Sequence, residues 1–184
     1  MNDRYHVDGY AIVSIDGMIA DSAGHMPDSL KVDADQAFLQ DSLDRAQVLV
    51  HGAHSDEGGP RAERRRRIVV TRRVPGIAPH PDNPLAMYWN PAGAAIENAC
   101  HALGVDEGLI AVLGGTEVFD LFLPLYEKFY LTRTSYARLP GGRPVFTGVP
   151  AIAPEDLLAK HGLKPGPARA LGGDSGVTLV AWSQ

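Results

Sequence analysis

The chain has 184 residues, a length that fits one domain and buries about 70% of the surface that the unfolded chain exposes. Its hydrophobic content of 45%, charged content of 21% and net charge of −5 are typical of a globular protein and argue against bulk attraction to nucleic acid. A single cysteine, Cys100, excludes an internal disulfide and favours a reducing compartment. We find no signal peptide and no apolar run long enough to cross a bilayer, so we expect a soluble cytoplasmic protein that binds no membrane.

The first half of the chain alternates predicted strands with helical and polar segments. Residues 9–15 are short, apolar and β-branched, which predicts a buried strand, and a polar loop is expected over 18–32. Asp33 is predicted to cap a helix that ends near residue 46, with Gln36 completing a capping box. Further strands are predicted at 48–50, 68–70 and 86–89.

The second half predicts two more helices and the remaining strands. Asn90-Pro91 is predicted to open a helix that ends at Gly104, and Cys100 inside it is expected to be a packed thiol. A helix is also predicted over about 116–123. Strands are predicted at 109–113, 129–131, 158–163 and 177–182. Strands that alternate with helices indicate an α/β fold with a largely parallel sheet, to which the tail adds antiparallel strands at an edge.

Two adjacent glycines, Gly114 and Gly115, lie between the strand at 109–113 and the following helix. They leave the first backbone N–H groups of that helix clear of side chains, and such an end carries a partial positive charge that suits a phosphate. The alternative is a tight strand-to-helix turn that needs glycine geometry. A second glycine turn, at residues 52–55, follows the strand at 48–50 and is either a phosphate contact or an ordinary loop.

Arginines are concentrated after the glycine turn at residues 52–55. Seven of the 17 basic residues fall at positions 61, 64, 65, 66, 67, 72 and 73. For Arg64–Arg66 we favour a solvated turn, with a functional role as the alternative. Arg72 and Arg73 differ because they lie at the end of a predicted buried strand, at the edge where open α/β sheets bind ligands. An arginine beside Thr71 could bind a phosphate through charge-assisted hydrogen bonds.

Several common catalytic motifs are missing from the chain. His51 and His54 lack further ligands at a metal-binding spacing, so we expect no metal site. There is no Gly-x-Ser-x-Gly elbow, and no Gly-x-Gly-x-x-Gly follows the first strand, which argues against a serine hydrolase and a Rossmann domain.

Taken in chain order, six segments resemble the dihydrofolate reductase superfamily, and most closely the C-terminal reductase domain of bacterial riboflavin-biosynthesis deaminase-reductases. These segments are residues 11–20, 48–52, 68–72, 112–119, 130–134 and 144–146. The resemblance implies one dihydrofolate-reductase-like domain over residues 1–184. It would have three αβα layers, with a central mixed, mostly parallel sheet and an antiparallel C-terminal edge.

The resemblance also implies NADPH as cofactor, hydride transfer to a C=N or C=O bond of a small polar heterocycle, and a homodimer. Carried over by position, Ala11 and Ile19 would lie near the nicotinamide, and Thr71 and Arg72 would hold the adenosine 2′-phosphate. Gly52, Ala53 and Ser55 would lie beside the cofactor's phosphates. The pyrophosphate would be cradled by Gly114, Gly115, Thr116, Glu117 and Val118.

The substrate side departs from the dihydrofolate reductase pattern. Alignment on Phe38 puts Ala34 where those enzymes have the acid that binds the pterin, with Asp33 and Asp35 on either side. Their Met-Pro-Trp is Met26-Pro27-Asp28 here. Both changes argue against dihydrofolate.

Further departures affect the riboflavin-type substrate and the cofactor. Met18 stands where riboflavin-pathway reductases often have lysine. Ala53 replaces an arginine that binds phosphate, and either Arg72 or an arginine from 64–67 could compensate. Glu117 suits the helix dipole but lies awkwardly near a diphosphate.

Two functions therefore stay open. The first is an NADPH-dependent reductase, with Asp16, Asp33 and Asp35 as candidate substrate ligands or proton donors. Capping or turn formation is the alternative role for each of these acids. The second function is a non-catalytic nucleotide-binding or structural dimer of the same fold, which the residues at Met18, Ala34 and Ala53 motivate.

Overall fold

The computed structural model describes residues 4–55, 59–173 and 176–184. The strands in these ranges are β1 Tyr5–Val13, β2 Met18–Ala20, β3 Val48–Gly52, β4 Arg67–Val70, β5 Ile77–Pro79, β6 Ala86–Trp89, β7 Gly108–Val112, β8 Lys128–Thr134, β9 Arg143–Pro144, β10 Lys164–Pro165, β11 Arg169–Ala170 and β12 Val177–Ser183. The α-helices are α1 Asp33–Leu43, α2 Ile96–Ala102, α3 Thr116–Phe122 and α4 Pro154–Lys160. No helix within the described ranges is long and apolar enough to cross a membrane.

Ten of these strands form one mixed sheet in the order β10-β12-β8-β1-β7-β3-β4-β6-β5, with β11 also paired to β12. All pairs from β8 through β1, β7, β3 and β4 to β6 are parallel. The tail strands β10, β11 and β12 pair antiparallel, which confirms the predicted C-terminal edge. The strand β5 adds a second antiparallel edge at the other end of the sheet, inside a proline-studded stretch where we predicted no strand.

Helices cover both faces of this sheet because the central strands are apolar on both sides. Along β3, Val48 and Val50 belong to the main core, which also contains the buried apolar residues of α2, α3 and α4. Leu49 points the opposite way and packs with Leu43 of α1. Large aromatic side chains, including Phe119 and Phe129, fill the main core. The predicted αβα layering is therefore confirmed.

Three local predictions at helix ends and in the tail are wrong. Val32, not Asp33, is the N-cap of α1, and no side chain caps that end. Asn90 does not open α2, which begins at Ile96; its side chain instead accepts a hydrogen bond from the Ala92 N–H in a turn. No strand forms at 158–163: residues 158–160 belong to the helix α4, because Pro154 and the acids after it favour the first turn of a helix.

The polar loop expected over 18–32 also contains a strand. Met18–Ala20 forms β2, which pairs antiparallel with the distant β9. The packed-thiol prediction for Cys100 is confirmed, because its side chain is fully buried and burial raises the pKa of the thiol to about 12.

Candidate active site

The carboxyl ends of β1, β3 and β7 meet the start of α3 at one edge of the sheet. The Gly52 N–H at the end of β3 donates a hydrogen bond to the Gly114 carbonyl, at 2.8 Å. A Cβ atom on Gly52 would lie 3.6 Å from the Val118 side chain and 3.8 Å from the Gly115 nitrogen. Backbone from two strand ends and one helix start thus forms a single surface, which we call the glycine cradle: Gly52, Gly114, Gly115 and Val118.

The two adjacent glycines have different surroundings. Gly114 has a φ of +88°, and a Cβ there would come within 2.4 Å of the Phe119 ring, so the position requires glycine. Gly115, joined to it by a cis peptide, is open: the nearest atom to an added Cβ is on Ile19, 4.0 Å away. Gly114 therefore satisfies the turn interpretation, whereas Gly115 leaves space beside Ile19.

The first turn of α3 presents backbone donors to this space. Val118 and Phe119 donate their N–H groups to the Gly115 carbonyl. Within the described ranges, the N–H groups of Thr116 and Glu117 have no protein acceptor. The Glu117 side chain is exposed, and the Thr116 hydroxyl donates to the Pro144 carbonyl at 2.5 Å.

Thr71 and Arg72 follow the neighbouring strand at the same edge. Gly52 pairs with Val70, which places Thr71 level with Ala53. Thr71 is buried and its hydroxyl accepts the Arg73 N–H, whereas Arg72 is exposed. In the part of the chain that the structure describes, Arg72 forms no ion pair.

The arginines at 64–67 lie at the opposite edge, because β4 begins at Arg67. Arg65 is buried and forms an ion pair with Asp44 at 2.7 Å, so the prediction of a solvated turn is wrong at that position. Arg67 donates to the Ala62 carbonyl. The suggestion that one of these side chains replaces the arginine missing at Ala53 is therefore corrected, and Arg72 is the candidate that remains.

The remaining cofactor candidates lie around the glycine cradle. Ala11 and Ile19 are half-buried and pack against the main core. Ala11 comes two residues after Gly9, which pairs with Val112, so it lies level with Gly114. Ser55 is half-buried and its N–H donates to the Gly52 carbonyl at 3.0 Å, while Ala53 is exposed.

Among the three candidate acids, Asp35 is the buried one. Its side chain is 9% exposed, whereas Asp33 on the same helix is exposed. Burial raises the pKa of Asp35, although a hydrogen bond from the Thr132 hydroxyl acts in the opposite direction. Asp35, the neighbour of Ala34, is thus the candidate acid of α1 that turns toward β8.

Asp16 has a structural role in the turn after β1. Its carboxylate accepts the Ser14 hydroxyl at 2.6 Å and the Leu139 N–H at 3.0 Å. Burial acts to raise the pKa of Asp16, but these hydrogen bonds outweigh it and the pKa falls below its usual value. A lowered pKa disfavours Asp16 as a proton donor.

Two surface cavities lie apart from the glycine cradle. One, of about 240 Å³, lies between Trp89, Ile96 and Leu121, and the other, of about 140 Å³, lies beside Asp16 and Arg133. Within residues 4–55, 59–173 and 176–184, no group of three His, Cys, Asp or Glu side chains could hold a metal ion.

No family model and no curated protein matches the chain by sequence. Solved structures do match it. A protein assigned to riboflavin biosynthesis from Shewanella sp. PV-4 is 17% identical with a TM-score of 0.64, over 97% of this chain and 98% of that one. Dihydrofolate reductase from Enterococcus faecalis, complexed with NADP(H), is 16% identical with a TM-score of 0.61, over 97% and 95%. The chain has the dihydrofolate-reductase-like fold.

A third structure with this fold is a two-activity protein. It is a diaminohydroxyphosphoribosylaminopyrimidine deaminase and 5-amino-6-(5-phosphoribosylamino)uracil reductase from Thermotoga maritima, 17% identical with a TM-score of 0.66. The match covers 98% of this chain but 56% of that protein. The fold-level resemblance that we predicted from six sequence segments is confirmed.

Sequence reasoning missed Thr132, which lies in this dihydrofolate-reductase-like sheet as the partner of Asp35. The alternation along β8 was the available signal: Phe129 and Leu131 face the main core, so Thr132 must face α1.

Proposed function

We propose that this protein is an NADPH-dependent reductase that transfers a hydride to a C=N or C=O bond of a small polar heterocycle, pterin-like or pyrimidine-like. The observation that carries the proposal is the glycine cradle at the carboxyl edge of the sheet, with Arg72 exposed at the next strand end. The fold shared with reductases supports it. NADPH, when bound, supplies the hydride.

The residues present suit a dinucleotide phosphate. Gly115 leaves open space, and the N–H groups of Thr116 and Glu117 point from a helix start with no protein acceptor in the described ranges. Arg72 supplies a positive charge for the adenosine 2′-phosphate, and Thr71 lies beside it. Ala11 and Ile19 offer an apolar surface for the nicotinamide.

Asp35 is the residue that we propose for the substrate. A buried carboxyl with a raised pKa can bind the N–H groups of a heterocycle, and it holds its proton to a higher pH than an exposed carboxyl does. Thr132 of β8 lies close enough to this carboxyl to act on its pKa, against the effect of burial. Asp33 is exposed two residues earlier on the same helix, so we do not assign it this role.

Tryptophan fluorescence provides the binding test, because Trp89 is a neighbour of Thr71 at the edge of the proposed site. The Thr71 N–H donates to the Trp89 carbonyl. NADPH is expected to bind at micromolar concentrations and more tightly than NADH. Loss of NADPH absorbance with a panel of pterins and pyrimidines then tests turnover. Asp35→Asn should lower turnover by about a hundredfold and leave NADPH affinity unchanged, whereas the matched Asp33→Asn should change neither.

The exposed Ala53 and the exposed Glu117 at the cradle favour the second function, a non-catalytic nucleotide-binding or structural dimer. NADPH binding without turnover on any substrate of the panel would support that alternative. Absence of NADPH binding would contradict the reductase. The homodimer, the cytoplasmic location and the single domain stay predictions, and sedimentation of the purified chain tests the first of them.

A further inference from the structure

The segment that carries Arg72, residues 71–76, forms few hydrogen bonds within itself. It leaves the sheet after Thr71, whose N–H donates to the Trp89 carbonyl at 2.9 Å. The Arg73 N–H bonds back to the Thr71 hydroxyl. Because the Arg72 side chain is exposed, its position depends on what holds the backbone of this segment.

Asn90, at the end of the neighbouring strand β6, provides two bonds to that backbone. Its side-chain Nδ2 donates to the Val74 carbonyl at 2.8 Å, and its backbone N–H donates to the Gly76 carbonyl at 2.7 Å. The other polar atom of the Asn90 side chain, Oδ1, accepts the Ala92 N–H at 3.1 Å within the turn that follows β6. A single side chain therefore joins the turn after β6 to the segment after β4.

The turn that contains Asn90 packs directly on the same segment. A Cβ atom on Gly93 would lie 1.6 Å from the Pro75 carbonyl oxygen, so the two backbones are in contact. The Asn90 carbonyl accepts N–H groups from Gly93 and Ala94, and the Ala94 carbonyl accepts the indole N–H of Trp89. These bonds fix the turn to β6, and it forms a rigid base for residues 71–76.

We propose that Asn90 is a positioning residue that sets the place of Arg72 and, through it, the preference for a dinucleotide with a 2′-phosphate. This inference rests on the proposed function. Nothing in the sequence near Arg72 indicates it, because the bond from Asn90 to Val74 spans 16 residues.

Asn90→Asp is the sharpest test, since aspartate retains the turn acceptor but replaces the donor with an oxygen that faces the Val74 carbonyl. Asn83→Asp is the matched control: Asn83 also accepts a backbone N–H within its own turn, from Leu85, at the other end of β6. Asn90→Ala removes the donor without adding a charge. All three variants are compared with the wild type in calorimetric titrations with NADPH and NADH.

Both Asn90 variants should lower the ratio of the NADH to the NADPH dissociation constant by about fivefold or more, the effect of one lost hydrogen bond. Asn83→Asp should leave that ratio unchanged. In the ligand-free protein, hydrogen exchange should rise at residues 72–76 in Asn90→Asp and stay unchanged in Asn83→Asp. This second readout does not depend on a cofactor.

The outcomes separate the two proposals. A wild type that prefers NADPH, together with Asn90 variants that retain the full preference, would overturn the positioning role and leave the reductase standing. Equal loss of NADPH and NADH binding in the Asn90 variants would also overturn it, since that marks general damage. A wild type that binds neither nucleotide would overturn the proposed function and the inference together.

Discussion

Replacing Arg72 with alanine is expected to weaken NADPH binding and to spare NADH binding. The Arg72 side chain is exposed and forms no ion pair in the described ranges, so its loss should change the free energy of unfolding by less than about 0.5 kcal/mol. A lost charge-assisted contact to the 2′-phosphate costs about 1.5–3 kcal/mol, which corresponds to a rise of roughly 10- to 150-fold in the NADPH dissociation constant. Calorimetric titrations with both nucleotides measure this directly.

Arg66→Ala is the matched control for that variant. It removes the same charge from another exposed arginine, at the opposite end of the strand β4. Four residues of strand span about 13 Å, beyond the Debye length of about 8 Å at physiological salt. We therefore expect Arg66→Ala to leave both dissociation constants unchanged. Equal weakening of NADPH and NADH in Arg72→Ala, or equal effects of the two variants on NADPH, would refute the assignment.

Three further outcomes are expected. Gly52→Ala should fold normally, since its Cβ meets ordinary contacts, but should weaken NADPH binding, whereas Gly114→Ala should lower the melting temperature because its Cβ meets the Phe119 ring; equal melting temperatures would contradict this. Folding raises the pKa of Asp35 and therefore penalises its charged form. Urea unfolding should show Asp35→Asn no more stable than wild type well below pH ~4, and increasingly more stable as the pH rises from there through the folded pKa of Asp35. An equal gain in stability at the low and at the high pH would exclude burial of the charged carboxylate as its cause. The Cys100 thiol should resist a thiol reagent until the protein unfolds, and fast labelling of the native protein would contradict its burial.

The central strands could be predicted because their signal is local. Residues 48–50 and 68–70 are short β-branched runs that only a buried strand explains, and β3 and β4 cover both of them. The turn at the glycine pair could also be predicted, since a strand that runs straight into a helix leaves little room for side chains. In these places the sequence neighbours are also the spatial neighbours.

The parts that could not be predicted depend on distant contacts. Whether Asp33 or Asp35 turns inward follows from the phase of α1 against β8, and the sequence left both as candidates. Asn90 was assigned to a helix start because Asn-Pro is typical of one, yet its side chain bonds to a loop 16 residues earlier. No pattern within either segment indicates that β2 pairs with β9.

A crystal structure of the protein with NADPH tests the central claim most directly. The account predicts the diphosphate against Gly52 and Gly115, within hydrogen-bond distance of the Thr116 N–H, with the 2′-phosphate at Arg72 and the nicotinamide beside Ala11. A nucleotide bound elsewhere, or a complex in which Glu117 turns into the cradle and fills the place of the diphosphate, would contradict it.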